Sequence, residues 1–330
     1  MGGRVARELT GYNGSFMQAI LATTFPFFAL VLCGYVAVRT GMLPQLAIPG
    51  MNSFVLYFAL PCLLYRFGST TPLAQLVDPG VFGVYFLCGL VMVALVVWAS
   101  RARGMDWNNS AFGALVAAFP NTGFMGVPLL VALLGPRASG PVIVTIAVDL
   151  IVTTSVCIAL SRCGQGGSGA ALRHALTGVL RNPLPWSILL GALASGAGMS
   201  LPGPVESTIG LLAGAASPVA LFTIGAVLAR SSMNAGKREP QAGVLPIALA
   251  KLLIHPLLVF AVGHAAIATG APLDPFSWRV LVLVACLPCA SNVALLTERF
   301  GADTARIARI ILVSTVLSFA SFSTAVAIMS

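Results

Sequence analysis

The feature that most constrains this chain is a succession of long apolar runs, beginning at Met17 and continuing to the C-terminus. Each is close to the roughly 20 residues that an α-helix needs to cross a hydrocarbon core. Read between turn and charge signals, the runs fall at about 17–38, 49–65, 79–100, 111–134, 141–160, 184–199, 206–229, 242–268, 280–297 and 305–328. Charged residues make up only 8% of the chain, against about 25% in a soluble domain, too few to cover a water-facing surface. The expected fold class is an all-α polytopic membrane protein with ten transmembrane helices. The first 16 residues hold Arg4, Arg7 and Glu8 but no short apolar core followed by a small-residue cleavage site. The first run therefore reads as a retained span preceded by a 1–16 segment. No soluble domain fits between spans, because the longest connection is only Ser161–Pro183.

A net charge of +9 invites a nucleic-acid partner, but the basic residues form no stripe and sit in the loops. Their distribution across the two sides is uneven. One side receives Arg39, Arg101, Arg103, Arg162, Arg173, Arg181, Arg230, Lys237, Arg238, Arg299, Arg306 and Arg309, twelve in all. The other receives five, Arg4, Arg7, Arg66, Arg137 and Arg279, while Lys251 lies within a span. The excess of basic loops marks the cytoplasmic side, which puts both termini outside and residues 1–16 in an extracytoplasmic segment. The seven cysteines are scattered, mostly within apolar runs, and give no disulfide framework.

Weak internal similarity divides the chain. Ala59-Leu-Pro61-Cys-Leu-Leu64-Tyr65 in the second run echoes Ala216-Ser-Pro218-Val-Ala-Leu221-Phe222 in the seventh. Ala118-Phe-Pro120 in the fourth run answers Cys286-Leu-Pro288 in the ninth. Both pairs lie five runs apart. An odd number of spans per half makes the second copy enter the membrane in the opposite direction, the inverted-repeat plan of many secondary transporters. The expected halves are residues 17–160 and 184–330, joined by a cytoplasmic linker at 161–183.

The prolines in the fourth and ninth runs carry a chemical expectation. Proline lacks an N–H and clashes with the preceding turn, which frees carbonyls near the break. Lipid cannot satisfy those groups, so such a break belongs in the protein interior or beside a cavity. Asn121 and Thr122 follow Pro120, and Ser291 and Asn292 follow Pro288. Two helices restarting at the midplane would direct N–H groups and positive dipole ends there, a setting that favours an anion. The plainer alternative is a pair of proline kinks.

These motifs resemble the auxin efflux carrier family, which includes plant PIN-type carriers and bacterial carriers of malate or malonate. The most specific match is Phe119-Pro-Asn-Thr-Gly-Phe-Met-Gly-Val-Pro-Leu-Leu130, supported by Phe58-Ala-Leu-Pro61, Ser217-Pro-Val-Ala-Leu-Phe222, Lys251-Leu-Leu-Ile-His-Pro256 and Leu287-Pro288. The large hydrophilic loop of the long plant carriers is missing, so the bacterial branch is the nearer likeness. The resemblance implies ten helices in two inverted repeats, similar to NhaA-type antiporters and bile-acid symporters. It also implies crossing helices 4 and 9, a scaffold part and a moving transport part (an elevator). By position, Pro120 and Asn121 correspond to the crossover and its substrate-contacting Asn, and Pro288 to the second crossover. Cys289-Ala-Ser-Asn292 departs from the plant pattern, so auxin cannot simply be copied as the substrate.

Two ionisable residues lie within spans, Asp149 in the fifth and Lys251 in the eighth. A charge at bilayer depth costs at least about 3 kcal/mol on insertion scales, so both should face protein or water. Lys251 is a candidate for the substrate carboxylate and Asp149 for a coupled proton or sodium ion, or the two neutralise each other as a structural pair. His255 shares a helical face with Lys251 and either titrates or bonds a backbone carbonyl. Cys286-Leu-Pro-Cys289 has C-x-x-C spacing but no second pair, which suits packing better than a metal. Nothing calls for a cofactor.

The expected function is secondary active transport of a small organic anion in a bacterial inner membrane, with substrate contacts from Pro120, Asn121, Thr122, Lys251, Pro288, Ser291 and Asn292. The partners are the anion, a proton or sodium ion, the bilayer and, as a candidate, a second copy of the chain. The competing classes are a membrane-embedded enzyme, which would need clustered carboxylates or histidines, and a channel or sensor.

Overall fold

The computed structural model describes residues 25, 26, 28–70, 78–163, 183–234 and 243–329. The expected 1–16 segment, the start of the first run, most of the 161–183 linker and the basic pair Lys237 and Arg238 lie outside the described residues. Among the described residues the structure is helical, and its β pairing is one isolated antiparallel bridge between Pro120 and Cys289.

The helices follow the apolar runs. They are α1 (Phe28–Arg39), α2 (Gln45–Thr70), α3 (Pro79–Arg101), α4 (Trp107–Ala118), α5 (Thr122–Leu134) and α6 (Pro136–Ser161). There follow α7 (Pro183–Gly196), α8 (Gly203–Asn234), α9 (Val244–Ala268), α10 (Pro275–Ala285), α11 (Asn292–Phe300) and α12 (Thr304–Met329). Six helical stretches (α2, α3, α6, α8, α9 and α12) are long and apolar enough to cross a membrane. The fourth and ninth runs each give two helices separated by a non-helical segment.

Local chemistry sets the boundaries. Asp78 accepts hydrogen bonds from the Gly80 and Val81 N–H groups and Pro79 occupies the first turn, a standard helix start for α3. Asp106 caps α4 through the Asn109 N–H, and Asp274 caps α10 through the Ser277 N–H. Gly135, at φ +84°, makes the turn from α5 into α6 that a residue with a side chain would resist.

Three prolines leave their helices unbroken, and the backbone shows how. A widened π-turn ends two residues before each of them: Val55–Ala59 before Pro61, Thr122–Gly126 before Pro128 and Ala250–Ile254 before Pro256. In each case the residue preceding the proline bonds five positions back, as Leu60 N–H does to Val55 C=O. Locally widening the helix accommodates a ring that would otherwise clash with the preceding turn.

At two helix crossings glycine lets backbones touch. A Cβ on Gly34 of α1 would lie 1.8 Å from the Phe222 carbonyl oxygen of α8, and one on Gly225 of α8 would lie 1.8 Å from that of Val31. The α2–α7 crossing repeats this reciprocity. A Cβ on Gly68 would lie 2.5 Å from the Ile188 oxygen, and one on Gly191 would lie 2.2 Å from the Tyr65 oxygen.

Polar contacts at the loops sort the two ends of the bundle. At one end Arg137 pairs with Asp274 at 3.1 Å. At the other, Asn109 accepts from the Asp303 N–H at 2.8 Å, and Arg306 donates to the Asn109 carbonyl at 3.3 Å.

Candidate functional site

The two interruptions lie against each other. At the first, α4 ends as Phe119 turns extended (φ −96°, ψ 103°), and Asn121 (φ −75°, ψ 54°) leads into α5. At the second, Cys286 to Ser291 separate α10 from α11. Asn121 N–H donates to the Pro288 carbonyl at 2.8 Å, and Ala290 N–H donates to the Phe119 carbonyl at 2.9 Å. Cys289 N–H finds the Ser314 hydroxyl of α12 at 3.2 Å. Each break thus supplies the backbone partner that the other lacks, which a buried segment out of reach of water requires. The plain-kink alternative does not describe this geometry, because both chains leave the helix and pair as extended segments. A Cβ on Gly126 would stand 2.7 Å from the Leu287 side chain, so the two breaks pack closely here.

The side chains at the breaks are under-bonded. Asn121 is 4% exposed, its carboxamide makes no hydrogen bond with a described residue, and it lines small cavities on both faces of the crossing. Thr122 is fully buried and bonds back to the Pro120 carbonyl at 3.4 Å. Asn292 opens α11, and its Oδ1 is buried without a partner among the described residues. Ser291 and Asn292 both line a wider cleft, partly open to solvent, between α2 and α8 on one side and α5, α11 and α12 on the other. The first turn of a helix leaves N–H groups unpaired, and here α5 and α11 start at the crossing. Unspent donors, two carboxamides and positive dipole ends suit a small anion.

Asp149, Lys251 and His255 do not line these cavities. Asp149 is fully buried in α6 and accepts from the Tyr85 hydroxyl of α3 at 2.9 Å and from Thr153 at 3.1 Å. Lys251 is also fully buried and donates to the carbonyl of Ala285, the last residue of α10, at 2.7 Å. A cation at a helix C-terminus offsets the dipole of the half-helix that runs into the crossover. Asp149 and Lys251 form no ion pair, so the expectation of a direct structural pair gives way to two separately satisfied groups. His255 departs from the expected carbonyl partner too. Its Nδ1 lies 3.0 Å from Lys251 Nζ, its Nε2 has no partner among the described residues, and its ring stands 6.0 Å from that of Tyr85. Cys286 and Cys289 are both buried free thiols.

Sequence reasoning missed Tyr85, Ser314, Asn52 and Arg230. Tyr85 carried a usable signal, because a phenol within a long apolar run needs a hydrogen-bond partner. Asn52 and Arg230 line the wider cleft, but in sequence both look like residues near a helix end.

An all-helical chain with several membrane-length apolar helices and two interrupted ones meeting at a polar crossing has the build of a membrane transporter. The family described as "Membrane transport protein" matches residues 19–167 and 170–328, nearly the whole chain. The chain is 30% identical over 320 residues to the "Putative malonate transporter" of Rhizobium meliloti (strain 1021), covering 92% of this chain and 94% of that one. An "Uncharacterized transporter" of Methanothermobacter thermautotrophicus is 26% identical over 301 residues, covering 91% and 95%. "Auxin efflux carrier component 3a" of Oryza sativa subsp. japonica is 31% identical over 148 residues, covering 41% of this chain and 22% of that one. The chain is a multi-pass membrane protein of the auxin efflux carrier family of membrane transport proteins.

Proposed function

We propose that this protein is a secondary active transporter of a small organic anion, a mono- or dicarboxylate, which binds at the crossing of the two interrupted helices. The observation that carries this reading is the reciprocal backbone pairing of Asn121 with Pro288 and of Ala290 with Phe119, beside the Asn121 carboxamide and the Asn292 Oδ1, neither of which has a hydrogen-bond partner among the described residues. Thr122 and Ser291 complete the polar lining, and Pro120 and Pro288 keep the backbone open. The name of the Rhizobium meliloti relative supports a carboxylate as the class of substrate.

The proposed architecture is ten spans in two inverted repeats, with α4–α5 and α10–α11 each acting as one broken span. Its best support is the pair of glycine crossings. Gly34 and Gly191 are 157 positions apart, as are Gly68 and Gly225, and as are Pro61 and Pro218 in the similar segments. Equivalent residues thus make equivalent reciprocal contacts, α1 with α8 and α2 with α7. On this plan these four helices form a scaffold, the remaining helices move the crossover between the two sides, and both termini lie outside a bacterial inner membrane. A reporter active only in the cytoplasm should work when fused near Gly167 or Gly236 and be silent near Asp274. Cytoplasmic signal at both Gly236 and Asp274 would end the inverted plan.

Coupling to protons is assigned to the buried group of Asp149, Tyr85, His255 and Lys251. Lys251 is proposed to act from the rear of the site, through the Ala285 carbonyl. An anion moving alone carries its charge across the potential, at about 2.3 kcal/mol per charge per 100 mV, so uptake needs a compensating cation. The deciding experiment is uptake and exchange in proteoliposomes against a panel of mono- and dicarboxylates. Saturable exchange, with uptake driven by an inward proton gradient and weakened about tenfold in affinity or more by Asn121→Ala, is expected. Conduction without saturation would indicate a channel.

A further inference from the structure

The wider cleft contains a charge that the crossover does not use. Arg230 of α8 is half-buried in its lining, and no described residue gives its guanidinium a hydrogen bond or an ion pair. Asn52 of α2 shares the lining, and its side chain is likewise unpartnered among the described residues. No carboxylate lines the cleft among the described residues. An arginine serving only to anchor a helix end projects into water or headgroups. This one belongs to the wall of a cleft that Phe124, Ser291 and Asn292 also line.

Its distance from the crossing is of a useful size. Ile224 of α8 is level with the crossing, because it lines both the cleft and the small cavity bounded by Asn121 and Pro288. Arg230 lies six positions further along the same helix, an axial offset of about 9 Å. A short dicarboxylate with one end on the Asn292 carboxamide, in the same cleft, would extend its other end toward that level. A planar guanidinium is the side chain best shaped to take a carboxylate through two parallel hydrogen bonds.

We propose that Arg230, with Asn52 beside it, forms a second carboxylate subsite in the cleft, so that the protein prefers a dicarboxylate held at the crossing by one end and at Arg230 by the other. This rests on the anion-carrier reading above and adds the residue that discriminates two charges from one. Arg230 is thereby a specificity-determining residue, and the monocarboxylate site at the crossing does not depend on it.

The test uses the full chain reconstituted in liposomes, with succinate and malonate compared against propionate and butyrate in exchange assays. Arg230→Gln is expected to weaken the dicarboxylates roughly ten- to hundredfold while changing the monocarboxylates less than about twofold. Arg230→Lys, which keeps the charge and loses the fork, should fall between wild type and Arg230→Gln. Retained monocarboxylate exchange shows that each variant is folded. An equal loss for both classes, or no loss for either, overturns the subsite. A wild-type protein that exchanges only monocarboxylates also overturns it while leaving the carrier reading intact, whereas one that exchanges no carboxylate overturns both.

Discussion

Pro61 and Pro120 both lie within long apolar runs and have opposite consequences. Pro61 sits inside α2, a helix of 26 residues that continues through it, while Pro120 ends α4 and begins an extended segment. Behind Pro61 the helix widens over Val55–Ala59, and the chain stays helical. At Pro120 no widening precedes the ring, and the freed backbone pairs with the second interruption through Asn121 and Phe119. The lesson concerns the source of the missing partner. Where a helix can absorb the proline internally it remains a wall, and where another broken chain lies in reach it opens into a site.

The largest effect expected from disturbing this comparison comes from the continuous helices. Gly225→Ala places a methyl 1.8 Å from the Val31 carbonyl oxygen, a backbone contact that cannot rotate away. Overpacking of this kind costs about 1–3 kcal/mol or more, and Gly225→Ala should lose most folded protein in detergent, judged by size-exclusion profile and melting. Gly83→Ala, where a Cβ meets nothing within 4 Å, should behave as wild type. If the two variants melt together, the glycine crossings do not hold the α1–α8 pair.

A smaller effect is expected at the crossing. Pro120→Ala restores an N–H and allows α4 to continue, so turnover should fall several-fold while the protein stays folded. Pro218→Ala, in the unbroken α8, removes a ring that costs a helix interior about 3 kcal/mol, and it should leave turnover unchanged with equal or higher stability. Equal kinetic damage from both would mean that the break at Pro120 has no special part in the cycle.

Smaller still is the expected effect of Tyr85→Phe. It leaves Asp149 with Thr153 as its remaining side-chain partner and should cost about 1 kcal/mol of stability in a denaturation series. Asp149→Asn separates a structural from a coupling role. Loss of the pH dependence of uptake with exchange retained supports coupling, and an unaltered pH profile in the surviving protein makes Asp149 a packing partner only.

Much of this was legible in the chain. The apolar runs lie where the helices lie, because a span must satisfy its own backbone and be about as long as the bilayer is thick. The paired prolines with their asparagines marked the two interruptions. The run at 184–199, short and rich in glycine, gave a correspondingly short helix, Pro183–Gly196, whose Gly191 makes a backbone crossing. Residues 161–183, by contrast, are a linker only by expectation.

What the sequence by itself determined was local: which stretches are helical and apolar, where caps such as Asp78, Asp106 and Asp274 start them, and which family's motifs the chain carries. What only the tertiary structure decided was the identity of partners. Sequence spacing could join His255 to Lys251, four residues apart on one helix, but it could not reveal that Lys251 caps α10 or that Asp149 turns to Tyr85 instead. Nor could it show that Arg230, counted among the basic residues of a loop, faces into the same cleft as Asn292. A periodic pattern fixes which face a residue occupies along its own helix. The element packed against that face is set by the whole bundle, through contacts between residues far apart in the chain.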